Sequence, residues 1–118
     1  MGYYTYYTLD VDPWDMDMDD DDFDREMNLL GTESLNQGMF TVRDLVYGDG
    51  ATCKWYEHEA EMLELSKRYP KLLFSLHGWG EDRYDIWSQF FLDGQCTKAE
   101  MAQVIHADFY LQNLLPAQ

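Results

Sequence analysis

Basic residues are scarce in this chain, which has 8 lysine and arginine residues against 23 aspartate and glutamate residues. The formal net charge is therefore −15 at pH 7. Repulsion between like charges disfavours direct binding to nucleic acid phosphates and to anionic membranes. A metal ion or a basic protein partner fits this charge, so we expect a basic partner and no direct contact with nucleic acid or membrane.

Cysteines and long apolar runs are scarce as well. The two cysteines, Cys53 and Cys96, could pair, but two cysteines without a signal peptide favour reduced thiols in a cytosol. The chain opens on Met-Gly and a tyrosine-rich stretch instead of the basic and then apolar regions of a secretion signal. No apolar run approaches the roughly 20 residues that span a bilayer. We therefore expect a cytoplasmic protein.

Aspartate is abundant in one short segment, which we call the acidic run. Met16, Met18 and Phe23 interrupt it, and the first residue of opposite charge is Arg25. Such a run repels itself, so it needs a cation, a basic partner, or solvent and flexibility. Its seven aspartates are Asp15, Asp17, Asp19, Asp20, Asp21, Asp22 and Asp24.

Apolar residues make up 46% of the 118 residues and aromatic residues 16%, which is enough for one folded domain with a modest core. We expect a single domain over residues 1–118 with an acidic loop at about residues 12–24. Two helices are predicted, at 19–30 and 57–69, from apolar stripes such as Phe23, Met27 and Leu30. Gly31 and Pro70 are their expected ends.

Strands are predicted from β-branched and aromatic stretches and from turn signals. Pro13 should end the first strand, and Asp93-Gly94 is a hairpin signal. Residues 31–38 are predicted as a loop, 40–47 as a strand or short helix, and Gly48-Asp49-Gly50 and Gly78-Trp79-Gly80 as turns. The last strand has a helix over 98–106 as its alternative. The predicted strands cover residues 3–11, 52–56, 71–77, 84–92 and 95–107. This order predicts an α+β fold, an antiparallel sheet with two helices packed on one face.

Four segments resemble a group of small proteins from phages and mobile elements: the opening Tyr3 to Tyr7, Lys54 to Met62, Ser66 to Pro70, and Asp85 to Trp87 with Phe90, Phe91, Asp93 and Gly94. The resemblance covers the first strand and residues 54–94, about half of the chain, and excludes the acidic run. It implies a ferredoxin-like α+β fold and a phage or mobile-element origin. It implies no activity.

Calcium binding is one hypothesis for the acidic run. Asp15, Asp17, Asp19, Asp21 and Glu26 match positions 1, 3, 5, 7 and 12 of an EF-hand loop. The sixth position should be glycine and is Asp20, the eighth is Asp22 instead of an apolar residue, and a strand precedes the run. We therefore expect weak affinity, about millimolar, if calcium binds. A solvated acidic loop is the plainer alternative.

Nucleic-acid mimicry is the other hypothesis. Alternate carboxylates on an extended chain lie roughly 6.6 Å apart, about the spacing of neighbouring phosphates on a strand. Such a row could occupy the basic groove of a nuclease or another DNA-binding enzyme. A second acidic strip comprises Glu57, Glu59, Glu61 and Glu64, whose alternative reading is an ordinary exposed helix face. Trp79 beside Glu81 and Asp82 is a candidate binding anchor.

Histidine and cysteine patterns indicate no reaction. His58, His77 and His106 lack the spacing of known zinc motifs, and we expect ordinary histidines. Cys53 and Cys96 are expected to be small core residues on strands, and no nucleophile and base pair is visible. We therefore expect a non-enzymatic protein without a resident cofactor. The preferred function is a phage or mobile-element inhibitor, a DNA mimic that blocks the basic nucleic-acid-binding surface of a host defence protein such as a CRISPR or restriction effector.

Overall fold

The computed structural model of the protein describes residues 3–82 and 85–100. Strands and helices alternate irregularly along these residues, with two short elements in the middle of the chain. In order they are β1 (Thr5–Pro13), α1 (Asp20–Leu30), β2 (Ser34–Leu35), β3 (Phe40–Thr41), α2 (Val42–Val46), β4 (Ala51–Cys53), α3 (His58–Arg68), β5 (Leu72–Gly80), β6 (Ile86–Leu92) and β7 (Gln95–Glu100).

Within residues 3–82 and 85–100, the main sheet has five strands in the order β4-β1-β5-β6-β7, and each neighbouring pair is antiparallel. The longest pairing joins β1 to β5, from Thr5 opposite Gly80 to Pro13 opposite Leu72. The prediction of an antiparallel sheet that contains residues 3–11 and 71–77 is confirmed. β2 and β3 form a separate two-stranded sheet.

Alternation along the strands divides the sheet into a buried side and an open side. On β1, Thr5, Tyr7 and Leu9 are buried, whereas Tyr6 and Asp10 are exposed. Directly opposite residues share a side, so Leu76 and Gln89 lie with Leu9 on the buried side. Met27 and Leu30 of α1, Val42 and Leu45 of α2, and Met62 and Leu65 of α3 belong to the same apolar core as that side.

Both predicted helices are confirmed. The sequence features that predicted each helix lie within the segment itself. α1 begins after Asp19, whose side chain accepts from the amide of Asp22, and Gly31 follows its last residue. Met27 and Leu30 are buried, as the predicted stripe requires. α3 buries Met62, Leu65 and Ser66 and ends at Arg68, before Tyr69 and Pro70.

The glycines around Trp79 do not form the predicted turn. Gly78, Trp79 and Gly80 are the last residues of β5 and pair with Tyr7, Tyr6 and Thr5. A Cβ on Gly78 would lie 2.3 Å from Cζ2 of Trp87, so the glycine provides the space for that ring.

Residues 31–47 also differ from the prediction. The segment expected as a loop contains β2, and β2 turns into β3 through Asn36, Gln37 and Gly38, which all have positive φ. Residues 40–47 contain both alternatives, a short strand and then α2, which begins with a capping box between Thr41 and Asp44.

Strand boundaries differ by a few residues elsewhere. β1 extends to Pro13, β4 is shorter than the predicted 52–56, and β6 starts at Ile86. The Asp93-Gly94 hairpin is confirmed, with φ of 47° and 78° at its two residues. Residues 95–100 form a strand, and the rest of the segments predicted over 95–107 and 98–106 lies outside the described residues.

Candidate functional site

The acidic run lies where β1 leaves the sheet and turns into α1. The amides of Trp14 and Asp15 both donate to the carbonyl of Lys71, at 2.8 and 3.3 Å, which holds the run against the start of β5. Asp15 in turn accepts from the amide of Asp17 at 2.9 Å through its side chain. Residues 14–19 therefore form a hydrogen-bonded turn, and residues 20–24 belong to the helix instead of a loop.

Carboxylates near the helix N-terminus stabilise α1, because the free amides there carry partial positive charge. Asp19 caps the helix through Oδ1 at 2.8 Å from the amide of Asp22, and Asp20, Asp21 and Asp22 occupy the first turn. This local stabilisation offsets part of the repulsion within the run.

The run has few counter-charges. Within residues 3–82 and 85–100, Asp22 with Arg25 is the only ion pair that involves one of its aspartates. Asp17, Asp20, Asp21 and Asp24 are exposed. These four carboxylates present their charge to solvent and are available to a partner.

A cleft of about 360 Å³ lies between the run, the exposed side of α1 and the start of β5. Arg25 and Lys71 contribute positive charge to it, and Met18 and Leu29 contribute apolar surface. Its lining comprises Asp15, Asp17, Met18, Asp22, Arg25, Glu26, Leu29 and Lys71.

The EF-hand hypothesis needs a loop of twelve residues from Asp15 to Glu26. In the structure α1 begins at Asp20, so the second half of that segment is helical. Within the described part of the chain, no group of three or more histidine, cysteine, aspartate or glutamate side chains is arranged to hold a metal ion.

Two further aspartates continue the acidic surface and were missed from the sequence. Asp10 and Asp12 lie on the exposed side of β1, two residues apart, and lead into the acidic run. Alternate residues of a strand are roughly 6.6 Å apart on one side, the spacing that was expected for the run itself. The alternation of Leu9 and Val11 with Asp10 and Asp12 was the signal that could have revealed them.

The second acidic strip serves mainly internal contacts. Glu61 accepts from Nε1 of Trp55 at 2.7 Å and from the amide of Asn36 at 2.8 Å, so it joins α3 to the segments before it. Glu59 accepts from Nε2 of Gln89 at 2.8 Å. Glu57 and Glu64 remain exposed, and Glu64 pairs with Lys67 at 3.7 Å.

Trp79 is exposed but lies far from the acidic run. Its side chain is 51% exposed on the open side of the sheet, opposite Tyr6. The run contacts Lys71, before the start of β5, whereas Trp79 is the penultimate residue of that strand. The strand length places the two roughly 25 Å apart. The structure therefore does not join the predicted anchor and the acidic run in one small site.

The two described histidines occupy different surroundings, and His106 lies outside the described residues. His58 contacts the Trp55 carbonyl through Nδ1 at 3.0 Å and stacks on Trp87 with ring centroids 5.1 Å apart. Lys98 lies over the Trp87 ring at 5.1 Å. This cluster fastens α3 to the buried side of β6 and β7.

A hydrogen-bonded chain of Ser88, His77 and Asp10 crosses three neighbouring strands on the open side. Nδ1 of His77 lies 2.7 Å from the Ser88 hydroxyl, and Nε2 lies 3.0 Å from Oδ2 of Asp10. In the tautomer that donates from Nε2 to Asp10, Nδ1 accepts from the Ser88 hydroxyl. The sequence alone does not predict this hydrogen-bonded series of three side chains, because the strand register decides which residues lie opposite one another.

Ser88, His77 and Asp10 are the residue types that serve as nucleophile, base and orienting carboxylate in hydrolytic triads. Acyl transfer also needs donors aimed at the developing oxyanion. Ser88 pairs with His77 on one side and Ala99 on the other, so the neighbouring amides lie in the plane of the sheet. We interpret the chain as a link between β1, β5 and β6.

The cysteines are free in the structure and differ in exposure. Cys53 is buried, and burial raises the pKa of its thiol. Cys96 is exposed on β7, so its predicted place in the core is wrong. Desolvation, and then the charge of Glu59, raise the pKa of Cys96, which favours the protonated thiol over the thiolate.

Comparison with known proteins gave no relative: no protein-family model matches the chain, and neither the curated proteins nor the solved structures contain a significant match. In residues 3–82 and 85–100, no helix is both long and apolar enough to cross a membrane.

Proposed function

We propose that this protein is an acidic, non-catalytic interaction protein that occupies the basic nucleic-acid-binding surface of another protein. The observation that carries the proposal is the exposed set of carboxylates at the β1–α1 junction, which lies on hydrogen-bonded backbone and continues as Asp10 and Asp12. A preformed acidic surface loses little conformational freedom on binding.

The spacing of these charges supports mimicry of a nucleic acid backbone. Side chains three or four residues apart on a helix have Cβ atoms about 5–6 Å apart, and alternate strand residues are separated by a similar distance. Asp20, Asp21 and Asp24 follow the helical spacing, and Asp10 and Asp12 follow the strand spacing. The carboxylates thus recur at roughly the interval of phosphates.

We further propose that the partner is a host defence protein, such as a CRISPR or restriction effector, and that the chain comes from a phage or mobile element. Support for this part is the charge and the resemblance of residues 3–7 and 54–94. The ferredoxin-like description, with two helices on one face, belongs to the same proposal. Its support is that α1 and α3 both contribute side chains to the core that includes the buried side of the sheet.

The test uses a variant that keeps the side-chain cap and the ion pair of the acidic run. Asp17, Asp20, Asp21 and Asp24 are changed to asparagine, which leaves the Asp19 cap and the Asp22–Arg25 pair intact. The tagged protein is used for capture from bacterial lysate at about 50 mM and about 300 mM salt. We expect the wild type to retain a nucleic-acid-binding protein at low salt, a duplex oligonucleotide to displace it, and the variant to retain at least about tenfold less.

A matched control removes the same charge elsewhere, through Asp49→Asn, Glu64→Gln, Asp82→Asn and Asp93→Asn, all at exposed positions. The control should retain the captured protein nearly as well as the wild type. Equal capture by the wild type and the run variant at both salt concentrations, or capture insensitive to the oligonucleotide, would contradict the proposed function.

A further inference from the structure

The open side of the sheet combines exposed aromatic rings with carboxylates. Its strand residues include Tyr6, Asp10 and Asp12 on β1 and Trp79 on β5. Tyr6 is 36% exposed and Trp79 is 51% exposed. Among the described strand residues on this side, none is lysine or arginine. A side with this composition is complementary to cations.

One aromatic ring near the end of this surface already contacts a cation. Lys54 Nζ lies 5.2 Å from the ring centroid of Tyr4, two residues before Tyr6. Trp79 offers a larger and more exposed ring, and tryptophan is the best aromatic partner for a cation. Arginine fits best, because its planar guanidinium both stacks on rings and pairs with carboxylates.

The distances along β1 suit an extended chain. Tyr6, opposite Trp79, is four residues from Asp10 and six from Asp12, which corresponds to roughly 13 and 20 Å. In an extended peptide, side chains four and six residues apart have the same separations and point to one side. The half-buried side chains of Leu73, Phe90 and Leu92 lie beside this path and can contact arginine stems.

We propose that the open side of the main sheet is the docking surface for an extended, arginine-containing segment of the basic partner. One guanidinium stacks on Trp79 and Tyr6, and others pair with Asp10 and Asp12. The segment then reaches the acidic run, because Asp12 directly precedes Pro13 and Trp14. The proposal rests on the proposed function, since it states which segment of that partner binds and where.

The test uses two fluorescein-labelled peptides of nine residues with arginine or lysine at every second position and threonine between them. We expect the wild type to bind the arginine peptide at least about threefold tighter than the lysine peptide in anisotropy titrations, because of stacking. Trp79→Leu keeps an apolar strand residue and should remove that preference. Asp10→Asn with Asp12→Asn should weaken both peptides at least about fivefold while retaining an acceptor for His77.

Glu64→Gln with Asp93→Asn is the matched control, because it removes the same charge at exposed positions outside the acidic run and outside the strand residues of the open side. It should weaken the peptides less than about twofold. A preference for arginine that survives Trp79→Leu would overturn the proposal. So would equal weakening by the two double variants, which would indicate binding to overall charge. Circular dichroism confirms that each variant is folded.

Failure of this proposal is distinguishable from failure of the proposed function. If the variants of the open side affect the peptides as expected and the run variant captures as well as the wild type, the docking surface stands and the acidic-run function fails. If the run variant no longer captures the partner while Trp79→Leu and the Asp10 and Asp12 changes leave the peptides bound, the acidic-run function stands and the docking surface fails.

Discussion

Tyr69 connects the end of α3 to the segment after α1. Its hydroxyl donates to Oε2 of Glu33 at 3.1 Å, and Arg68 pairs with the other oxygen of the same carboxylate at 3.0 Å. The ring is 8% exposed. Burial, then the hydrogen bond and charge of Glu33, raise the pKa of Tyr69 to about 12. The neutral phenol is therefore the form that the folded state favours.

This shift sets a stability window at alkaline pH. Because the folded pKa lies above the unfolded value of about 10, the contribution of Tyr69 is complete below about pH 10 and is lost as the pH rises towards about 12. We expect the stability advantage of the wild type over Tyr69→Phe, measured by urea unfolding, to shrink across this range. Since the two proteins differ at this residue alone, the difference isolates Tyr69. Parallel stability curves for the two proteins would contradict this expectation.

Glu61 and Asp10 illustrate how little of a single side chain's contacts can be predicted from the sequence. Both are acidic residues in segments whose secondary structure was predicted, but only the folded contacts assign Glu61 to Trp55 and Asn36. The charge of the acidic run is visible in composition alone. The internal use of Glu59 and Glu61 is not, since it depends on which segments meet α3.

At the level of elements, local signals were sufficient where an element is stabilised locally. Asp19, Gly31 and the Met27–Leu30 stripe define α1, and Asp93-Gly94 defines the last hairpin. Gly78-Trp79-Gly80 was mispredicted because glycines favour turns in isolation, whereas here tertiary packing requires them. The β2–β3 hairpin was likewise missed, because its turn residues Asn36 and Gln37, which have positive φ, led to the prediction of a loop.

Gly78→Ala tests this explanation for β5. The added methyl would meet the Trp87 ring at 2.3 Å from Cζ2 and at 2.4 Å from Cε2, on the buried side between Tyr7 and His58. Overpacking of this kind costs about 1–3 kcal/mol of unfolding free energy. We expect urea denaturation to show a loss in that range.

The control for Gly78→Ala combines it with Trp87→Phe. The smaller ring should accommodate the methyl, so the double variant should lose less than the sum of the two single variants. If Gly78→Ala changes the unfolding free energy by less than about 0.5 kcal/mol, the close approach of Trp87 does not explain the glycine.

For the whole molecule, the net charge of −15 should make stability depend on salt. The described ion pairs of lysine and arginine are largely exposed, including Arg25–Asp22 and Lys67–Glu64. Exposed pairs contribute little, so repulsion among the remaining carboxylates dominates. We expect the melting temperature to rise by several degrees when NaCl increases from about 10 mM to about 300 mM, as screening increases.

The variant with Asp17, Asp20, Asp21 and Asp24 changed to asparagine separates two effects of the acidic run on stability. One is the repulsion between its carboxylates, and the other is their favourable contact with the α1 N-terminus. Removing these charges should reduce the rise in melting temperature with salt, because less repulsion remains to be screened. Loss of favourable contacts with the α1 N-terminus acts in the opposite direction at low salt. An unchanged salt dependence in scanning calorimetry would show that repulsion in the run does not limit stability.

The antiparallel pairing of β1 with β5 also affects how the chain folds while it is being synthesised. A ribosome releases the aromatic first strand early, yet most of its ladder forms only after residues 72–80 emerge, since β4 pairs with Thr5, Tyr6 and Tyr7 alone. Pairings between distant segments fold slowly and leave strand edges open to aggregation in the meantime. Charged residues that flank an apolar strand oppose aggregation by repulsion, and the aspartates directly after β1 occupy such positions. The carboxylates that we propose to contact a partner in the finished protein are thus expected to reduce aggregation of the unfinished one.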